Sequence, residues 1–194
     1  LYNIPFYLSA KALVALTGLR IGKADSLEKA FVALGQTVVG AAIVWQIFRV
    51  GVALTGDVIS SALAALTLAF GSILWPYARF GFNQPLACLT LLCATRDVFL
   101  GVRRREARRL VFAGGWLAAS LLTRHEMALA AVPMACWVFL DGRVRLAERL
   151  RRLAVFAPGL LTGVAAWMIL NAMRFGNPLD SGYLRDPIPA FGSP

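Results

Sequence analysis

Three short stretches of this sequence gather side chains able to grip a phosphorylated, sugar-bearing substrate. Tyr77, Arg79, Asn83 and Gln84 fall in the first, Arg124, His125 and Glu126 in the second, and Arg174, Asn177, Asp180 and Tyr183 in the third. Arginine carries a permanently charged planar fork that meets a phosphate bidentately, so Arg79, Arg124 and Arg174 are candidate phosphate ligands. Each has a plainer reading too, as an anchor of a helix end at lipid headgroups. Glu126 is a candidate hydrogen-bonding anchor for a sugar, and Gln84, Asn177 and Tyr183 complete the candidate substrate-binding set. Asp180 has the chemistry of a general base for an acceptor hydroxyl. With Ser181 and Gly182 it also spells an ordinary turn. His125 and Glu126 are neighbours, which on a helix diverge, so a polar surface turn is their plainer reading.

Other chemistries find little support. Cys88, Cys93 and Cys136 lie in apolar stretches, and the chain has one histidine; nothing stands at metal-ligand spacing. The cysteines are expected to be packing residues, and no metal or other cofactor is expected. P-loop, GxGxxG, HExxH, GxSxG and CxxC patterns do not occur, which leaves a nucleotide-hydrolysing or zinc-dependent domain without support.

The elements that must position these residues are membrane helices. Hydrophobic residues make up 59% of the chain and charged residues 15%, against roughly 45–50% and 25% in soluble domains. Too few solvating side chains remain for a water-soluble globule. The net charge of +10 does not read as a nucleic-acid footprint, because much of it sits in two clusters between apolar runs. Arg103, Arg104, Arg105, Arg108 and Arg109 form one; Arg143, Arg145, Arg149, Arg151 and Arg152 form the other. No nucleic-acid partner is expected, and membrane lipids are.

A helix needs roughly 20 apolar residues to cross ~30 Å of hydrocarbon. Runs 30–48, 58–75, 85–102 and 153–173 approach or meet that length, with Arg96 and Asp97 expected near one end of the third, where a long side chain snorkels outward. Run 2–19 carries Lys11 and is expected to be a partial span or interfacial helix. Run 110–140 is broken by Arg124, His125 and Glu126. One span through it would put two charges near mid-bilayer and the two arginine clusters on opposite sides; two short spans avoid both. By the positive-inside rule, loops around 49–57, 103–109 and 141–152 are then cytoplasmic, and loops around 20–29, 76–84, 124–126 and after 174 lie on the outer face. Trp75, Tyr77 and Phe82 are placed as an interfacial aromatic belt. The expected architecture is an all-α polytopic transmembrane bundle of about six or seven spans, with residues 1–194 part of a single transmembrane domain. Leu1 is not an initiator methionine and Pro194 falls in a loop-like stretch, so an internal fragment is expected, lacking an N-terminal catalytic loop and a C-terminal part.

The third stretch, Asn171-Ala172-Met173-Arg174-Phe175-Gly176-Asn177-Pro178 through Gly182-Tyr183, resembles the N-x-x-R-F-G-x-P-x-x-x-G-Y segment of bacterial polytopic glycosyltransferases of the GT-C class. These include relatives of protein O-mannosyltransferases and of the aminoarabinose transferase acting on lipid A. Ser72-Ile73-Leu74-Trp75-Pro76-Tyr77-Ala78-Arg79 with Asn83-Gln84-Pro85-Leu86 resembles the same family's loop between its third and fourth spans. Leu122-Thr123-Arg124 with Glu126 resembles its L-T-R-x-E turn. The resemblance implies transfer of a sugar from a polyprenyl-phosphate-type lipid donor to a lipid, glycan or protein acceptor on the outer face of a bacterial inner membrane. It also implies an acidic residue that acts as base in a first outer loop upstream of Leu1, so no catalytic residue is assigned within the chain. Gln84 stands where the family often has Glu and is placed with substrate binding. The rival classes are a secondary transporter or flippase, which calls for paired charges near mid-bilayer, and a non-enzymatic assembly subunit.

Overall fold

The apolar runs predict helices, and the described part of the chain is built of helices alone. The computed structural model describes residues 8, 11, 12, 15, 21–77, 84–142 and 144–180, leaving aside the side chains of 21–28, 32, 75 and 77. All of run 2–19 but residues 8, 11, 12 and 15, together with Phe82 and the side chains of Trp75 and Tyr77, thus lies outside what the structure describes. In chain order the elements are α1 (Ile21–Thr55), α2 (Val58–Gly71), α3 (Leu74–Tyr77), α4 (Gln84–Arg104), α5 (Ala107–Thr123), a 3-10 segment (His125–Ala130), α6 (Ala131–Phe139) and α7 (Leu146–Phe175).

Three stretches, Lys29–Thr55, Gln84–Arg104 and Leu146–Phe175, are long and apolar enough to cross a membrane. Val58–Gly71 and His125–Phe139 are apolar but shorter. A 14-residue helix such as α2 rises only about 21 Å, against ~30 Å of hydrocarbon. Of the six or seven spans expected, three meet the full length among the described residues.

Helix boundaries differ from the apolar runs because charged residues stay helical at the ends. Arg49 lies inside α1, and the expected loop around 49–57 shrinks to Gly56 and Asp57. Asp57 then caps α2, its carboxylate accepting from the backbone N–H groups of Ile59 and Ser60. Likewise Glu148, Arg149, Arg151 and Arg152 form the first turns of α7, not a loop. The expected break in 110–140 is present. Arg124 adopts an extended backbone (φ −147°, ψ 117°) between α5 and the 3-10 segment. Pro133, which has no N–H to give to Leu129, further disfavours an unbroken helix there.

The core lies among α4, α5, α6 and α7, where Ala94, Val98, Leu110, Ala113, Leu117, Met134, Val138 and Phe156 are buried together. α5 and α7 meet backbone to backbone. A Cβ on Gly159 would fall 2.5 Å from the Gly114 carbonyl carbon, and a Cβ on Gly163 would fall 2.5 Å from the Ala118 Cβ. Small residues let apolar helices approach this closely and gain dispersion contacts along their length.

Successive helices run back and forth, which sorts the charges to two ends. Arg103 near the end of α4 donates to the carbonyl of Ala53 near the end of α1 (3.3 Å), so these termini share an end with the starts of α2 and α5. Arg152 in α7 pairs with Asp141 after α6 (2.9 Å), and Arg103 and Asp141 line one cleft. This is the basic end. Ser120 near the end of α5 donates to the carbonyl of Ala87 near the start of α4 (3.1 Å), which defines the opposite end.

One expectation about charge placement changes. Arg96 does not reach outward from its helix end. It donates to Gln46 Oε1 in α1 (2.8 Å) and to Asp97 (3.1 Å), and Arg109 in α5 reaches the same buried Asp97 carboxylate at 3.4 Å. Snorkelling gives way because a buried carboxylate is strongly unfavourable without a cation, and two helices supply one each.

Candidate functional site

The end opposite the arginine clusters carries the described members of the predicted set. Gln84 opens α4, Arg124 separates α5 from the 3-10 segment, Glu126 follows it, and Arg174 lies in the last turn of α7. Asn177 and Asp180 continue from that turn. Arg79 and Tyr183 lie outside the described residues.

Arg124 and Glu126 form a two-point pair. The Arg124 Nε–H donates to Glu126 Oε2 at 3.3 Å and its Nη2 to Oε1 at 3.2 Å. The guanidinium holds the Glu126 carboxyl below the usual carboxylate range, with its hydrogen bond the largest cause. Both side chains retain exposure, 28% and 41%, so the pair stays open to a ligand. His125 turns the other way, as adjacent residues should, and stacks on Trp167 of α7 with ring centroids 6.2 Å apart. That contact fixes the Arg124 turn against α7. Arg174 follows Trp167 by seven residues, about 10 Å further along the axis.

The segment after α7 is shaped by its own polar groups. Gly176 takes a left-handed conformation (φ 74°) and returns its N–H to the Ala172 carbonyl at 2.9 Å, the usual glycine stop of a helix. Asn177 Oδ1 accepts the Leu179 N–H at 3.0 Å, and the Asp180 N–H reaches the Asn177 carbonyl at 3.3 Å. Asn177 and Asp180 thus sit in a turn, while the turn read at Asp180-Ser181-Gly182 runs outside the described residues. Asn171, quoted in the sequence pattern but given no role there, is buried and donates to the Pro178 carbonyl at 3.4 Å. Its signal was the amide inside an apolar run. Arg174 is exposed at the helix end with no carboxylate partner among the described residues.

Gln84 differs from the rest in being tucked inward. Its side-chain oxygen is buried without a hydrogen-bond partner among the described residues, an acceptor that would reward a hydroxyl or amide donor. No three His, Cys, Asp or Glu side chains are grouped to hold a metal among the described residues. Cys93, expected to be a packing residue, is buried and also accepts from Gln46 Nε2 at 3.2 Å.

Among the described residues the arrangement offers chemically one paired guanidinium and one without a carboxylate partner at a single end, beside a carboxylate, an unsatisfied amide oxygen and a histidine on an indole. Compared with known proteins, the chain matches no family model, no curated protein and no solved structure. The chemistry of the site therefore rests on its own residues.

Proposed function

We propose that this chain is part of a membrane-embedded glycosyltransferase of the GT-C type, moving a sugar from a polyprenyl-phosphate-type donor to an acceptor on the outer face of the membrane. The observation that carries the reading is the placement of Arg124 and Arg174 at the end opposite both arginine clusters. Under the positive-inside rule the clustered end faces the cytoplasm, so these two arginines run against the bias. A lipid-linked phosphate on the outer face would give them a counter-charge. Membrane residence is supported by the three long apolar helices and by open apolar side chains such as Ile59, Phe70 and Met173, each more than two-thirds exposed. With the shorter apolar helices crossing where neighbours thin the bilayer, the span count approaches the six or seven expected.

In this reading Arg174 and Arg124 neutralise the departing lipid phosphate. Preplaced charge of this kind is stronger in the transition state than in the ground state and so accelerates the step. Glu126 orients Arg124 and offers an acceptor to a sugar hydroxyl. Gln84, Asn177 and Asp180 stand at the same end, Arg79 and Tyr183 join the set by sequence alone, and no residue of this chain is assigned as the base that activates the acceptor.

The buried Arg96–Asp97–Arg109 group is what the transporter alternative would build on: Asp97 lies seven residues from the basic end of α4 and three from its middle, about 4.5 Å along the axis, with Arg109 in the first turn of α5. The test uses the full-length protein in nanodiscs with a polyprenyl-phosphate-linked sugar. Release of polyprenyl phosphate together with a glycosylated product supports a transferase. Donor that is moved across proteoliposomes without chemical change contradicts it.

A further inference from the structure

A second concave surface lies at the basic end, far from the outer-end residues. It is a cleft of about 670 Å³ between α1, α4 and the start of α5, with Trp45 and Phe48 along one wall and Arg49, Arg96, Arg103, Arg104 and Arg109 around it. The two aromatic rings adjoin, with centroids 5.5 Å apart, and Trp45 is more than half exposed.

The charges in this cleft do not cancel. Five arginines stand against two carboxylates, Asp97 and Glu106, leaving three positive charges in excess. The carboxylates are also unevenly shared. Asp97 is buried and held by Arg96 and Arg109, and Arg109 Nε additionally meets Glu106 at 2.6 Å. Arg104 reaches Glu106 only at 4.0 Å. Arg103 spends one nitrogen on the Ala53 carbonyl and lies over the Phe99 ring. Arg49 is exposed and has no carboxylate partner among the described residues. Arg49, Arg103 and Arg104 are therefore cations in excess at the mouth, while Arg96 and Arg109 hold the floor.

An amphipathic ligand fits this pattern: an anion for the forked guanidiniums and an apolar body for the tryptophan, phenylalanine and aliphatic wall. We propose that the cleft binds the phosphodiester headgroup of an anionic phospholipid from the leaflet at the basic end, with Arg49, Arg103 and Arg104 as its ligands and an acyl chain lying along Trp45 and Phe48. Basic pockets between membrane helices on the cytoplasmic side take such headgroups for the same electrostatic reason. The site rests on membrane residence and is independent of glycosyl transfer. The lipid ties the end of α1 to α4 where the two helices otherwise share only a few polar contacts.

The experiment is native mass spectrometry of the full-length protein released from detergent, with phosphatidylglycerol or phosphatidylcholine added at equal concentration. Membrane residence alone predicts adducts without headgroup preference. The proposed site predicts that phosphatidylglycerol is retained over phosphatidylcholine, that an excess of inorganic phosphate does not displace it, and that Arg49→Ala and Arg103→Ala each lower its affinity about five-fold. Arg49→Lys with Arg103→Lys, which preserves charge and guards against a folding defect, should restore much of the preference. Arg145→Ala with Arg151→Ala, at the same end but outside the cleft, should leave it unchanged. Equal retention of both lipids, displacement by phosphate, or equal loss in the Arg145 and Arg151 variant would overturn the proposal.

Discussion

Arg124 holds Glu126 through two nitrogen–oxygen contacts, at 3.3 and 3.2 Å, across a single intervening residue. Because the pair is partly exposed, its worth lies less in stability than in orientation. The guanidinium is aimed by its own neighbour before any ligand arrives, a form of preorganisation that an isolated surface arginine lacks.

Glu126→Gln should separate charge from orientation. Removing the carboxylate leaves Arg124 with its full positive charge, so the KM for a lipid-linked phosphate should fall. Turnover should fall as well, since the fork is no longer fixed. The carboxyl is held below its usual range, so the pair is fully formed above the unfolded carboxyl value of about 4.3 and is lost only as pH falls through the lower folded value. Donor KM in the wild type should therefore be insensitive to Glu126 from neutrality down to the ordinary carboxylate range, and change below it; the Gln variant should lack that acid-side change. Identical acid limbs in both proteins would remove Glu126 from the site.

Arg105→Gly should stabilise the fold. Arg105 is the non-glycine residue with positive φ (57°) among the described residues, and the Glu106 N–H closes back onto the Gly101 carbonyl at 3.0 Å. That bond marks a Schellman stop to α4, whose left-handed position normally takes glycine. Replacement should relieve about 1 kcal/mol of backbone strain, read as a higher unfolding midpoint in detergent. A lower midpoint would mean that the Arg105 side chain contributes more than its backbone costs.

Gly114 and Gly115 are adjacent yet should respond oppositely to alanine. A Cβ at Gly114 would strike the Phe156 carbonyl and the Gly159 Cα, whereas one at Gly115 would meet nothing within 4 Å. Gly114→Ala should destabilise by about 1–3 kcal/mol through overpacking. Gly115→Ala should be neutral or stabilise by about 0.5–1 kcal/mol. Equal midpoints for the two variants would contradict the α5–α7 contact.

Arg152→Ala should be among the most damaging single changes at the basic end. Arg152 is buried and joins Asp141 at 2.9 Å and Glu148 at 3.2 Å, tying the segment after α6 to the start of α7. Truncation removes the guanidinium 2.9 Å from an Asp141 carboxylate whose side chain is only 11% exposed, at a cost of about 1–3 kcal/mol. Adding Asp141→Asn should recover part of that loss, a non-additivity that a double-mutant cycle reads directly.

Much of the helical order was legible in the sequence because apolar runs and arginine clusters alternate along it. The division of 110–140 at Arg124 followed from the cost of charge in mid-bilayer. Helix ends were less legible: Arg49 and Glu148 to Arg152 look like loop residues by charge, yet all are helical, with Arg151 and Arg152 paired to Glu148 or Asp141 and Arg49 left at the surface. The Gln46–Arg96–Asp97–Arg109 group was hidden because its members are distant in sequence or sit on adjacent helices, and only packing shows that one carboxylate serves two cations. At the opposite end, the residue types were readable and their partners were not. Nothing in the spacing of Arg124, Glu126, His125 and Trp167 states which of them pair.

Whether Arg124 and Arg174 hold a lipid-linked phosphate is read most directly from the transfer rate of the full-length protein with a purified polyprenyl-phosphate-linked sugar. Arg124→Ala and Arg174→Ala should each lower kcat about 10²–10³-fold at unchanged abundance and unfolding midpoint. Arg174→Lys should recover only part of the loss, because it keeps the charge without the fork. Wild-type rates for both alanine variants, at saturating and at limiting donor, would contradict the claim and leave the two arginines as anchors of their helix ends.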